Sequence, residues 1–103
     1  MGLLCALFGA GLTQTDMAMA QAPTTGTVII TLGTRGGPFP TKDRTQSSNL
    51  LVVNGTPYLI DACDGVTRRI VQAGYDFRKV RKIFITHLHD DHTAGLATLL
   101  VSQ

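Results

Sequence analysis

The feature that most restricts how this chain folds is a junction. The apolar run Lys82-Ile83-Phe84-Ile85-Thr86 has strand length and reads as a strand covered on both faces, and it passes without a break into His87-Leu88-His89-Asp90-Asp91-His92. All three histidines of the chain lie in that short segment. Packing alone does not gather polar rings at the end of a buried strand, because each needs a hydrogen-bonding partner there. Residues two apart at a strand end project to the same side, so His87 and His89 are expected to share one ion while Leu88 turns back into the core. Asp91 and His92 then reach a second, neighbouring position. Neutral imidazole and carboxylate suit zinc and related divalent ions, and two ions about 3.5–4 Å apart recur in hydrolytic sites. The pattern lacks the helical i, i+4 histidine pair of the HExxH metalloproteases and is expected to form a loop. Asp90 alternates with Asp91 and is expected to face solvent.

The rest of the chain reads as strands and helices in an order that leads to this junction. Thr27 to Leu32 is short and β-branched, a mostly buried strand ended by Gly33. Gly33 to Thr45 is a Gly- and Pro-bearing surface loop. Asn49–Val53 and Pro57–Ile60 flank Asn54-Gly55, whose tolerance of positive φ marks a hairpin. Asp64-Gly65 forms a turn, Val66 to Ala73 carries Val66, Ile70 and Ala73 on one helical face, and Gly74 is the expected cap. Asp76 to Arg81 connects to the buried strand, and Ala94 to Val101 opens a second helix. With 44% hydrophobic residues, 16% charged and a formal net charge of +2, the chain is one globular domain rather than a disordered or nucleic-acid-binding tail. Arg68, Arg69, Arg78, Lys79, Arg81 and Lys82 read as a solvated helix face and loop. All seven acids are Asp, so carboxylate chemistry rests on that residue type alone. Cys5 and Cys63 lack the paired spacing of a structural zinc site, and Cys63 reads as a small buried hydrophobe.

At the N-terminus, Gly2 to Leu12 is apolar and uncharged, and Ala18-Met19-Ala20 places small residues where a signal peptidase reads. Residues 1–20 are therefore expected to be an export signal and 21–26 a linker, which places the protein in the periplasm or outside the cell. A buried N-terminal helix, with the protein then cytoplasmic, is the alternative. An apolar run this short is not a stable membrane span, which takes roughly 20 residues.

Taken in order, several pieces form one pattern. The first strand ends in Leu32-Gly33-Thr34, a loop runs through Gly36-Gly37-Pro38, Ser48-Asn49 leads into the hairpin, Ile60-Asp61 opens a turn, and Gly95-Leu96 follows the Thr86-His87-Leu88-His89 segment. In this the chain resembles the metallo-β-lactamase superfamily, whose HxHxDH motif is matched by His87, His89, Asp91 and His92, and within it the ribonuclease Z and arylsulfatase-like branch. The resemblance runs from about Thr27 to the end. It implies an α/β fold, the N-terminal half of an αβ/βα sandwich, with a mixed sheet, a hairpin and helices on the outer face over residues 27–103. Ala62-Cys63-Asp64-Gly65 stands where the family usually has Gly, and Asp90 where the ribonuclease Z branch often has Gly.

The same resemblance implies two divalent cations, zinc foremost with manganese or iron as alternatives. His87 and His89 would hold the first, Asp91 and His92 the second, and residues further along the family's chain complete both; no His follows His92 here. A water between the ions would ionise near neutral pH and attack the substrate, with Asp91 orienting the nucleophile or shuttling a proton. Asp61 is expected to accept hydrogen bonds that fix the ligand loop, or else to serve only the turn it begins. Three functions follow: an exported metal-dependent hydrolase of a small ester, sulfate ester or phosphodiester; a cytosolic ribonuclease Z-type nuclease that matures tRNA 3′ ends; or a metal-binding remnant without turnover. Half of a sandwich also leaves one apolar sheet face open, so association into oligomers is expected of this stretch alone.

Overall fold

The computed structural model describes residues 23–103, so the expected export signal, Cys5 and residues 21–22 of the linker lie outside the described residues. Four strands form one sheet in the order β1 (Thr27–Gly33), β2 (Ser48–Val53), β3 (Thr56–Ile60) and β4 (Ile83–Phe84). The first three are antiparallel neighbours and β4 lies parallel to β3, so the sheet is mixed. The hairpin between β2 and β3 turns on Asn54 at φ 48° and Gly55 at φ 84°, the two left-handed residues a tight primed turn requires. Pro57 sits inside β3 without cost: the N–H groups of Leu59 and Asp61 point to β4, bonding Lys82 and Phe84 carbonyls at 3.0 and 2.8 Å, and β4 does not reach as far as Pro57.

The chain crosses from β3 to β4 through helix α1 (Val66–Gln72), because a parallel neighbour cannot be reached by a tight turn. Val66 and Ile70, one turn apart, are fully buried against the sheet. Gly74 at φ 88° ends the helix in a Schellman arrangement, with Gly74 N donating to Val71 O at 2.9 Å and Tyr75 N to Ile70 O at 3.1 Å. A short 3₁₀ turn over Phe77–Lys79, pinned by the Asp76–Arg78 ion pair at 2.9 Å, leads into β4. Two short helices close the described chain, α2 (Asp90–Thr93) and α3 (Leu96–Val101). Leu32, Leu50, Val52, Leu59, Val66, Ile70, Val80 and Leu99 make up most of the core, between one face of the sheet and α1 and α3.

Four expectations need correction. The first strand, expected to be mostly buried, buries only Leu32 and Gly33, with Thr27, Ile29 and Thr31 exposed because one face of the sheet is uncovered among the described residues. The strand expected over residues 82–86 contracts to Ile83–Phe84, and Phe84 is 55% exposed, so β4 is covered on one face only among the described residues. Ile29, Leu51 and Tyr58 pair across β1, β2 and β3, and with Ile60 and Phe84 they line that second, uncovered face. The second helix begins at Leu96 rather than Ala94, preceded by the separate turn α2. Arg69 is not simply solvated: its Nε donates to Leu32 O at 2.6 Å and ties α1 to the end of β1.

Candidate metal centre

The histidine segment leaves the carboxyl end of β4, where side chains gather above the sheet edge. His89 is the extended N-cap of α2, so His87 lies before the helix and Asp91 and His92 lie in its first turn. The expectation of a pure loop is thus corrected: Asp90 to Thr93 is helical because His92 N reaches back to His89 O at 2.9 Å and Ala94 N to Asp90 O at 2.8 Å. This turn is stitched to the β3–α1 loop by Ala62 N donating to His92 O at 2.8 Å and Gly95 N to Ala62 O at 2.9 Å. Gly95 is required there, since a Cβ would strike the Cys63 carbonyl.

At the centre of the cluster is Asp61, only 3% exposed, with backbone at φ 65°, a left-handed conformation that Asp tolerates better than most residues. The fully buried Ser48 hydroxyl donates to its carbonyl at 2.6 Å and holds that conformation. Asp61 Oδ1 accepts from Thr86 N at 2.8 Å, and Oδ2 accepts from His92 Nδ1 at 2.7 Å. Burial pushes the Asp61 carboxyl up, but the Thr86 N–H, the His92 ring and the Thr86 hydroxyl together outweigh it and leave its pKa below the ordinary carboxylate value. An ionised Asp61 requires a proton on His92 Nδ1, which leaves the His92 lone pair on Nε2.

Nε2 faces Asp91, whose Oδ2 is 3.3 Å away, a spacing that a proton or a cation between the two atoms would bridge; Asp91 itself is 5% exposed. A second pair lies beside it, His87 Nε2 and His89 Nδ1 at 3.1 Å. The His87 ring centroid is 4.7 Å from that of His89 and 4.1 Å from that of His92, so the two pairs adjoin. Donors bound about 2.0–2.1 Å from a tetrahedral ion sit about 3.3 Å apart, close to both spacings. The donor set therefore fits a divalent cation. Each pair supplies two donors, fewer than a four-coordinate ion takes, and among the described residues no three His, Cys, Asp or Glu side chains form a metal cage.

Asp90 is exposed, as expected. Leu88 is not in the core: it is 84% exposed, because the chain bends after β4 instead of continuing its pleat. With Pro38, His89, Asp90 and Asp91 it lines a shallow cleft over the cluster. A larger cleft between Pro57, Val71, Tyr75 and Phe77 contains none of the histidines. Ser48 and Thr86, which the sequence offers only as parts of the family-like pattern, prove to have hydrogen-bonding roles in the network. Cys63 is fully buried beside this loop, and burial raises its thiol pKa.

A mixed sheet ending in this cluster is the architecture of metallo-β-lactamase-fold proteins, and solved structures of that class superimpose on it. Human tRNase Z, short form, is 35% identical with a TM-score of 0.66, over 72% of this chain and 28% of its own. The metallo-β-lactamase fold protein YhfI from Bacillus subtilis is 22% identical with a TM-score of 0.67, over 74% of this chain and 31% of its own. Ribonuclease Z of Methanococcus aeolicus is 43% identical over 74 residues, 72% of this chain and 23% of the relative. Ribonuclease Z of Pyrococcus abyssi is likewise 43% identical over 72 residues, 70% of this chain and 23% of the relative. The chain spans about a quarter of the length of these curated relatives. Residues 27–103 match the family model described as Anti-Pycsar protein Apyc1, and the chain belongs to that family within the metallo-β-lactamase superfamily.

Proposed function

We propose that the whole protein is a metal-dependent phosphodiester hydrolase of the ribonuclease Z type. The observation that carries the reading is the Asp61–His92–Asp91 line, in which a buried carboxylate fixes one ring nitrogen of His92 and turns the other toward a second acid. The two 43% identical ribonuclease Z relatives favour a phosphodiester, and RNA in particular, over the small ester or sulfate ester expected first.

In this reading His87 and His89 would hold one divalent cation and Asp91 and His92 the other, with further ligands from the rest of the protein. The cation, zinc or manganese or iron in its place, would supply Lewis acidity and make a nearby water a stronger acid. Asp61 keeps His92 in the tautomer whose Nε2 lone pair faces the site. Asp91, buried and fixed on α2, would orient the attacking water and accept its proton at the carboxylate oxygen not given to the cation. His87 and His89, both exposed, form the wall that the substrate phosphate meets.

The test is hydrolysis by the full chain of a precursor tRNA with a 3′ trailer, of bis(4-nitrophenyl) phosphate and of 4-nitrophenyl sulfate, with and without chelator. Cleavage of either phosphodiester that chelator abolishes and zinc or manganese restores is expected. Turnover of the sulfate ester alone, or turnover indifferent to chelator, would overturn the proposal. Export through residues 1–20 is proposed with it: Gln21 as the N-terminal residue of the natural protein supports export and a small phosphodiester substrate. An uncleaved Met1 supports the cytosolic tRNA substrate.

A further inference from the structure

We propose that Thr86 is a positioning residue: its hydroxyl relays the Asp61 carboxylate to Nδ1 of His87, so that one buried acid orients a histidine in each donor pair, His92 directly and His87 through Thr86. The inference rests on the metal-binding reading above.

The atoms leave one consistent arrangement of hydrogens. Thr86 Oγ1 lies 2.9 Å from Asp61 Oδ2, 3.1 Å from Asp61 Oδ1 and 3.0 Å from His87 Nδ1. A hydroxyl has one hydrogen to give and two lone pairs to receive. Both carboxylate oxygens already act as acceptors, one from Thr86 N and the other from His92 Nδ1. A hydroxyl hydrogen turned elsewhere would leave lone pairs of two oxygens facing each other at 2.9 Å, so the hydrogen points at Asp61. Only acceptor capacity then remains toward the ring, and His87 donates from Nδ1. Its lone pair is consequently on Nε2, the atom 3.1 Å from His89 Nδ1. Without a cation, a hydrogen on His89 Nδ1 can fill that lone pair; a cation held by both nitrogens would require that hydrogen to sit on His89 Nε2 instead.

Thr86 is itself held for this task. Its backbone N–H is bound to the same carboxylate, and Ser48 fixes the Asp61 carbonyl from below. Removing the hydroxyl alone leaves the backbone contact intact, and valine has nearly the same shape. A carboxylate that reaches a metal-bound histidine through a neighbour tunes affinity by about 10–100-fold in comparable sites.

The experiment compares the full chain with Thr86→Val and Thr86→Ser, by zinc competition against a chromophoric chelator and by ¹⁵N ring spectra of the metal-free protein. Expected are a His87 proton on Nδ1 in the wild type, zinc affinity about 10–100-fold weaker in Thr86→Val, and recovery in Thr86→Ser to within about threefold of wild type. A wild-type His87 protonated on Nε2, an unchanged affinity in Thr86→Val, or a Thr86→Ser variant as weak as Thr86→Val would each overturn the relay. If Thr86→Val does not fold, the wild-type spectrum and the Thr86→Ser affinity decide. A wild-type chain that binds no zinc overturns the metal reading instead, and the tautomer of His87 then decides the relay alone.

Discussion

Replacing Asp61 by Asn separates folding from metal binding at this site. Asn has the same shape and tolerates the left-handed backbone at φ 65°, so no new strain enters. Its amide has one oxygen instead of two. If that oxygen keeps the Thr86 N–H bond of 2.8 Å, the NH₂ faces His92 Nδ1 at 2.7 Å, donor against donor. Histidine relieves the clash by changing tautomer: Nδ1 becomes the acceptor and the proton moves to Nε2. Three charge-assisted bonds, from Thr86 N, the Thr86 hydroxyl and His92 Nδ1, become neutral or are lost, each weaker by about 1 kcal/mol, for a stability loss of about 3 kcal/mol, or roughly 150-fold in the folded-to-unfolded ratio. The larger effect falls on Nε2, whose lone pair is lost to any cation shared with Asp91. Zinc affinity is expected to fall by about 10–100-fold in a protein that still folds. Asp61→Ala differs: it leaves the Thr86 N–H, the Thr86 hydroxyl and the His92 ring without their acceptor and adds about 1–2 kcal/mol of left-handed strain, so the loss reaches roughly 4 kcal/mol or more. Urea midpoints of the metal-free full chain and zinc competition titrations measure both effects. An Asp61→Asn variant that loses stability yet binds zinc as tightly as wild type would refute the tautomer argument.

Other outcomes follow from the same geometry. Because the Asp61 pKa lies below its ordinary value when folded, the stability it contributes is fully present above the unfolded carboxyl value and disappears as pH falls through the folded one; the metal-free wild type should show this acid limb in pH-dependent urea melts, and Asp61→Asn should lack it. Asp91→Ala should lower kcat by about a hundredfold or more with a smaller change in KM, measured on the phosphodiester substrate. Gly95→Ala should destabilise by about 2 kcal/mol or more in urea melts, because the new methyl meets the Cys63 carbonyl rather than a yielding side chain. Residues 27–103 expressed alone should self-associate through the face of Ile29, Leu51, Tyr58, Ile60 and Phe84, which sedimentation reads directly; a monodisperse monomer with a cooperative melt would contradict this.

Local chemistry wrote much of this fold visibly into the sequence. Asn54-Gly55 fixes the hairpin because few other pairs accept two successive left-handed residues, and Gly74 ends α1 for the same reason. The histidine segment marked the candidate centre because that many imidazoles at a strand end have no packing role. What the sequence concealed is non-local. The length of β4 depends on two N–H groups of the β3 segment, and Leu88 faces outward because Thr86 is bound back to Asp61, 25 residues earlier. Ser48 stood in the sequence only as the entry to the hairpin, yet its hydroxyl secures the residue around which the cluster is built. Single polar side chains of this kind have no periodicity or spacing to reveal them; only the folded loop brings their partners within reach.

The central claim is that His87, His89, Asp91 and His92 hold divalent cations. The most direct measurement is the metal content of the full chain purified without added metal, by elemental analysis per folded protein, beside the His87→Ala and His92→Ala variants. Close to two equivalents of zinc, manganese or iron are expected in the wild type and a loss of about one in each variant, with folding retained. A folded wild type that hydrolyses its substrate with no stoichiometric metal, or variants that retain the full complement, would contradict it.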